Sequence, residues 1–204
     1  MDDRLKNVEI SRRRTLGVRP GGRSRRVVED ILRATAEEIG RAGYAELRIE
    51  DVAARSGVNK TTIYRRWPRK SDLVAATLIH LGASDPPPDT GSLRGDLVET
   101  VRRAIAFKET ALGGGIMRMV TTERADPEVE AVLRAIREDQ RGKRRRIVAR
   151  AIDRGELPAG VDIDTFIETI FATIYGRWHR GEPIDLDFAA RVIDLVTAGA
   201  RAGR

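Results

Sequence analysis

The chain has 204 residues, 38 Lys and Arg against 31 Asp and Glu, two His and no Cys. Without Cys, thiolate catalysis, Cys-ligated zinc and iron–sulfur clusters are excluded, and two His leave little for a metal centre. The net charge of +7 resides entirely in residues 1–84, with 18 basic and 11 acidic side chains, while residues 85–204 carry 20 of each.

Clustered cations gain affinity for phosphates by releasing counterions, so a polyanion-binding head on an electrically neutral body is expected. The first 26 residues hold nine Lys and Arg and no apolar h-region. No apolar run approaches the roughly 18 residues of a membrane span. A cytoplasmic protein without a membrane partner is the expectation.

Residues 1–23 read as a flexible basic arm, polar and broken by Gly17, Pro20, Gly21 and Gly22. Arg12, Arg13, Arg14, Arg19, Arg23, Arg25 and Arg26 would either thread a minor groove or form a solubilising tail, and the sequence leaves both open. Ser24 is the expected N-cap of a first helix with an apolar stripe of Val27, Val28, Ile31, Leu32, Ala36 and Ile39, ended by Gly43. Short helical patterns follow at 49–56, 60–67 and 72–83, the last capped by Ser71. Pro86, Pro87 and Pro88 cannot continue a helix, so residues 85–91 read as a linker between a head at 24–84 and a body at 92–204.

In the body, Leu93, Leu97, Val101 and Ile105 repeat at helical spacing, and Gly113, Gly114 and Gly115 read as a break before Ile116, Met117 and Val120. Asp126 as N-cap and Pro127 at the first helical position open a long helix that ends at Gly155, with a bend allowed at Gly142. Its basic run Arg141, Lys143, Arg144, Arg145 and Arg146 reads as a solvated face. Two more helices run from Ile163 to about Trp178 and from about Leu186 to Ala200. The chain is expected to be all-α, with about nine helices.

Residues 49–67 have the makings of a helix-turn-helix. Ile49, Val52, Val58 and Ile63 face inward, Ala53 is small where two helices cross, Gly57 supplies the positive φ of the turn, and Asn59 caps the second helix. The outer face then carries Lys60, Thr61, Thr62, Tyr64, Arg65 and Arg66, donors suited to phosphates and base edges. Trp67 is expected in the core and Tyr64 against the DNA backbone.

The run from Val52 to Leu73, with Ile63-Tyr64 followed by Trp67, with Lys70 before Leu73, and with Gly43-Tyr44 closing the first helix, resembles the TetR family of bacterial transcriptional regulators. The resemblance covers about residues 24–84. It implies a three-helix DNA-binding domain followed by a helical ligand-binding and dimerisation domain. It also implies that Lys60, Thr61, Thr62, Tyr64, Arg65 and Arg66 lie in or beside the major groove and that Lys70 holds a phosphate. Arg48 stands where the family commonly has Ser or Thr; it keeps the phosphate contact and gives up the cap.

By the same resemblance the last two helices form a dimer interface, through Phe166, Ile170, Ile174, Phe188, Val192, Leu195 and Val196. A homodimer reads a palindromic double-stranded operator. A small, largely apolar effector would be received by Phe107, Met117, Val120, Phe171, Tyr175 and Trp178, and its binding would release DNA. Repression is the implied mode. No catalytic, metal or cofactor site is expected, since the chain contains no Gly-x-Ser-x-Gly, His-Glu-x-x-His, phosphate-cradling or dinucleotide fingerprint. A sequence-blind, nucleoid-organising DNA binder is the alternative.

Overall fold

The computed structural model describes residues 22–83, 85–122 and 125–202, and these residues contain nine helices and no strand. In chain order they are α1 (Gly22–Glu46), α2 (Ile49–Ser56), α3 (Lys60–Arg66), α4 (Lys70–Ala83), α5 (Leu93–Lys108), α6 (Ala111–Thr122), α7 (Pro127–Asp153), α8 (Ile163–His179) and α9 (Leu186–Ala202). The basic arm lies outside the described residues apart from its last two positions, which already belong to α1. No helix among the described residues is long and apolar enough to cross a membrane.

Several helix boundaries differ from the sequence reading for local reasons. α1 starts before Ser24, whose hydroxyl accepts from Arg66 instead of capping. α4 starts at Lys70, before Ser71: the Arg69 carbonyl accepts from the Asp72 and Leu73 amides, and the Arg69 guanidinium closes on Asp72 at 2.8 Å. Ser71 is therefore buried inside the first turn. Other signals hold. Gly43 interrupts α1 at φ 82°, and Asp126 accepts from the Glu128 amide at 2.7 Å as α7 begins.

The helices sort into two compact units. Unit 1 joins the described residues up to Asp85 with Lys108–Glu138, and unit 2 joins Pro86–Phe107 with Asp139–Arg204. The body expected over 92–204 is thus shared between two cores, because α6 and the first half of α7 bury their apolar stripes with the head. Met119, Val129, Val132 and Leu133 join Ile31, Leu32, Ile39 and Leu73 in the core of unit 1.

The glycine run that read as a break lies inside α6. A Cβ on Gly115 would meet the Ile39 carbonyl oxygen well inside van der Waals contact, whereas one on Gly114 would meet nothing. Gly115 lets α6 approach the backbone of α1, and Gly114 only adds conformational freedom to the unfolded chain. Gly142 likewise sits within an unbroken α7.

In unit 2, Leu93, Leu97 and Val101 of α5 and Ile147, Val148 and Ala151 of α7 pack with Phe166, Ile170, Phe171 and Ile174 of α8 and Ala189, Val192 and Ile193 of α9. The segment before α5 is anchored by the buried Asp96, which accepts from the Thr90 hydroxyl at 2.8 Å and lies 3.4 Å from Arg150; Arg150 also donates to the Pro88 carbonyl. Phe166, Ile170, Ile174 and Val192, read from sequence as interface residues, are instead filled into this core, where they support the two helices from behind. Phe188 and Val196 are half-buried, and Leu195 is 74% exposed. The basic run of α7 is also not one solvated face. Arg141 and Arg145 lie out over Asp164, while Lys143 is buried beside Asp139 and Arg144 turns inward over Phe171.

Gly115→Ala is expected to lose about 1–3 kcal/mol of stability through overpacking. Gly114→Ala, at an unobstructed helical site, is expected to gain about 0.5–1 kcal/mol. Urea denaturation of the two variants checks both signs.

Candidate nucleic-acid interface

α2 and α3 are short, with eight and seven residues, so their geometry is imposed by what they pack on. Val52 and Ile63 are fully buried in the core of unit 1, and Trp67, at the C-terminal end of α3, lies within the same core. Between the two helices Gly57 adopts φ 67°, ψ 15°, the left-handed conformation that ends α2. Asn59 then accepts from the Thr61 amide and hydroxyl, both at 2.9 Å, and caps α3. The turn and cap signals in the sequence therefore produce the expected helix-turn-helix.

The angle of α2 on α1 is held by a carboxylate. Glu38, only 1% exposed on α1, accepts from the Arg55 Nε of α2 at 2.7 Å and from Arg41 at 2.6 Å. The hydrogen bond from Arg41 foremost, with Arg55, holds the Glu38 carboxyl below its usual pKa against the opposing effect of burial. A buried carboxylate that lost one of these guanidinium partners would be left partly uncompensated, so the three residues act as one clamp.

With the inner faces of α2 and α3 committed, the outer face of α3 is left to solvent. Lys60, Thr61, Tyr64 and Arg65 are exposed there, and Thr62 is half-buried. Tyr64 is 43% exposed, an unusual condition for an aromatic ring, while Trp67 is inside as expected. Lys60 lies 3.7 Å from Glu50, and Arg65 makes no ion pair among the described residues. Arg48 precedes α2 in extended conformation (φ −115°, ψ 138°), exposed and making no side-chain cap bond.

Two of the sequence-assigned residues turn elsewhere. Arg66 donates to the Ser24 hydroxyl of α1 at 3.0 Å and is half-buried. Lys70 donates to the Tyr44 carbonyl at 2.9 Å and the Ala45 carbonyl at 3.3 Å, with its ammonium 4.3 Å from the Tyr44 ring centroid. Lys70 thus satisfies carbonyls that the interruption at Gly43 frees, and only its third N–H is left for another acceptor. The Tyr44 hydroxyl in turn donates to Glu128 at the start of α7 at 2.8 Å; burial and that carboxylate raise the phenol pKa. Sequence reading missed this chain of contacts, which spans residues 44, 70 and 128 and has no local signature.

The six residues read as an effector pocket are distributed over both units. Met117 and Val120 belong to unit 1, whereas Phe107, Phe171, Tyr175 and Trp178 belong to unit 2, where Phe107 is exposed. Phe171, Tyr175 and Trp178 do form a series along one face of α8, with ring centroids 5.8 Å and 6.0 Å apart.

A buried helix-turn-helix core beneath a polar, solvent-facing second helix, on an otherwise helical chain, defines the class of helix-turn-helix DNA-binding regulators. Family models match on both sides of residue 85: the model described as bacterial regulatory proteins of the tetR family over residues 31–77, and the tetracyclin repressor-like C-terminal domain over residues 87–196. The chain belongs to the TetR family of bacterial transcriptional regulators. It is 33% identical over 184 residues to the DNA-binding transcriptional repressor TetR of Mycobacteroides abscessus, covering 84% of this chain and 94% of that one. It is 29% identical over 187 residues to the HTH-type transcriptional regulator AqdR of Rhodococcus erythropolis, covering 90% and 89%. Among solved structures, the TetR family regulator SCO0332 superposes with a TM-score of 0.71 at 25% identity, covering 85% of this chain and 97% of that one.

Glu38→Gln tests the clamp through pH. Because the folded-state pKa of Glu38 is depressed, its contribution to stability is present above the unfolded value near 4.5 and is lost as pH falls through the lower folded value. The thermal midpoint of the Gln variant is expected to lie below wild type at neutral pH and to fall less on acidification below about 4.5. Parallel melting curves across that window measure the difference.

Proposed function

We propose that this protein is a ligand-responsive repressor that binds a palindromic operator as a homodimer and is released by a small, largely apolar effector. The observation that carries the DNA-reading part is the outer face of α3, where Lys60, Thr61, Tyr64 and Arg65 stand in solvent on a helix whose inner face is fully committed. In this reading α3 enters the major groove. Thr61, Thr62 and Arg65 face base edges, Tyr64 and Lys60 lie along the sugar–phosphate backbone, and Arg48 donates to a phosphate. Arg66 holds the start of α1 against α3, and Lys70 offers a phosphate its one remaining N–H. A cytoplasmic setting goes with this role.

A dimer sets two such helices about 34 Å apart, one turn of duplex. The surface proposed for pairing is the exposed face of α8 and α9. Leu195 is the large exposed apolar side chain of α9, and Ala172 of α8 and Ala198 of α9 are exposed as well. The effector is placed in unit 2, along the aromatic series of α8. An effector that favours a conformation with wrongly spaced recognition helices lowers operator affinity, typically by about 1–3 kcal/mol.

Selection from random-sequence duplex DNA at near-physiological salt, with wild type and with the double variant Tyr64→Ala, Arg65→Ala, tests the reading. The wild type is expected to enrich a palindrome, and the variant, altered only at exposed positions, to bind it at least 10-fold more weakly with its melting temperature unchanged. Uniform, salt-sensitive binding to every fragment by both proteins would establish the sequence-blind alternative that the concentrated charge of residues 1–84 favours. Leu195→Glu is expected to convert a dimer to monomer in sedimentation velocity and to abolish palindrome binding while leaving helical content intact. A dimer that survives the substitution places the interface elsewhere.

A further inference from the structure

Four arginines among the described residues have a buried Nε with no hydrogen-bond partner: Arg66, Arg144, Arg150 and Arg177. Arg150 is neutralised by Asp89 and Asp96, and Arg177 by Glu182. Arg66 lies at the helix-turn-helix, where the partner is itself a polyanion. Arg144 has neither kind of compensation. Its one hydrogen bond goes to the Tyr175 hydroxyl at 3.0 Å, and no carboxylate pairs with it among the described residues. Desolvation lowers its pKa, opposed only by Tyr175.

The guanidinium lies over the Phe171 ring at 3.7 Å from the centroid and 5.4 Å from that of Tyr175. This stack occupies the face of the cation; at its edge one terminal nitrogen donates to Tyr175, and the Nε has no acceptor. Tyr175 accepts from Arg144, so its own hydroxyl proton is left to donate. A stack on aromatic rings returns less than the desolvation of an unpaired ion costs, which makes an uncompensated arginine here a group that waits for an anion.

We propose that Arg144 and Tyr175 form the anion-recognising end of the effector site in unit 2, and that the effector is a carboxylic acid whose apolar body packs along Phe171 and Trp178. This deepens the effector-binding reading above and rests on it. The planar fork of one guanidinium matches one carboxylate, and a single negative charge balances the single positive one. A dianionic phosphate would leave net charge in an apolar setting. The in-facing position of Arg144, on the same face of α7 as the buried Ile147, Val148 and Ala151, favours a small molecule over the side chain of a second copy.

The test titrates the full-length protein, without DNA, against matched pairs differing only in charge: 2-naphthoate with 2-naphthamide, and decanoate with decanamide. Calorimetry on wild type is expected to show at least one acid binding 10-fold or more tightly than its amide. Arg144→Met is expected to remove that preference while keeping the unliganded melting temperature at or above wild type, since it deletes an unpaired buried charge. Arg144→Lys, which keeps the charge and loses the fork, is expected to retain a weakened preference.

The proposal is overturned if no acid outbinds its amide on wild type, if Arg144→Met keeps the preference, or if that variant melts lower and the stack is therefore structural. A loss of dimer on Arg144→Met also overturns it and makes the partner a carboxylate of a second copy. Acid binding that persists when DNA selection yields no palindrome would sink the repressor reading and leave this site standing; a palindrome without acid preference would do the reverse.

Discussion

A seven-residue helix does not hold its shape in water, so α3 can present a defined outer face only because its other face is fixed. Ile63 and Trp67 supply that fixation from below, the Asn59 cap holds the N-terminal end, and Arg66 ties the C-terminal end to Ser24. The same constraint passes to α2, which is held by Val52 in the core and by Arg55 on the buried Glu38 of α1. The outer donors of α3 contribute little to the fold, and the fold determines where they stand. Function at this end of the chain is therefore a matter of rigidity beneath a solvent-exposed surface.

α7 belongs to both compact units, and its sequence shows why. Val129, Val132 and Leu133 supply apolar surface to unit 1, and Ile147, Val148 and Ala151 supply it to unit 2, with a charged stretch between. Its first turn takes the Tyr44 hydroxyl on Glu128, and Tyr44 carries Lys70 on its ring and carbonyl. Its second half carries Arg144 over Phe171. α7 thus carries both apolar side chains and polar attachments in each of the two cores.

The helix-turn-helix was legible because its signals are local. Gly57 needs positive φ, Asn59 caps two residues ahead, and Asp126-Pro127 starts a helix, each through geometry contained within a few residues. Where the reading failed, the deciding partner was distant in sequence. Gly113–Gly115 looked like a break, yet the backbone of α1 at Ile39 explains why Gly115 belongs inside a helix. Phe166, Ile170, Ile174 and Val192 looked like an interface because periodicity shows that a stripe is apolar without showing what covers it. Lys143 and Arg144 looked solvated because a charge run gives no sign that one turn of it faces an aromatic ring.

Taken alone, the sequence determined the helical class, the turn, the caps at Asn59 and Asp126 and the identity of the outer α3 side chains, since all of these follow from backbone preference and 3.6-residue spacing. The tertiary structure alone decided how α5–α9 divide between two cores, that Lys70 and Arg66 turn to intramolecular partners, and that Arg144 has no carboxylate partner among the described residues. These outcomes depend on which distant atoms arrive beside a side chain. Burial and charge compensation are properties of that meeting, and no local stretch of sequence encodes them.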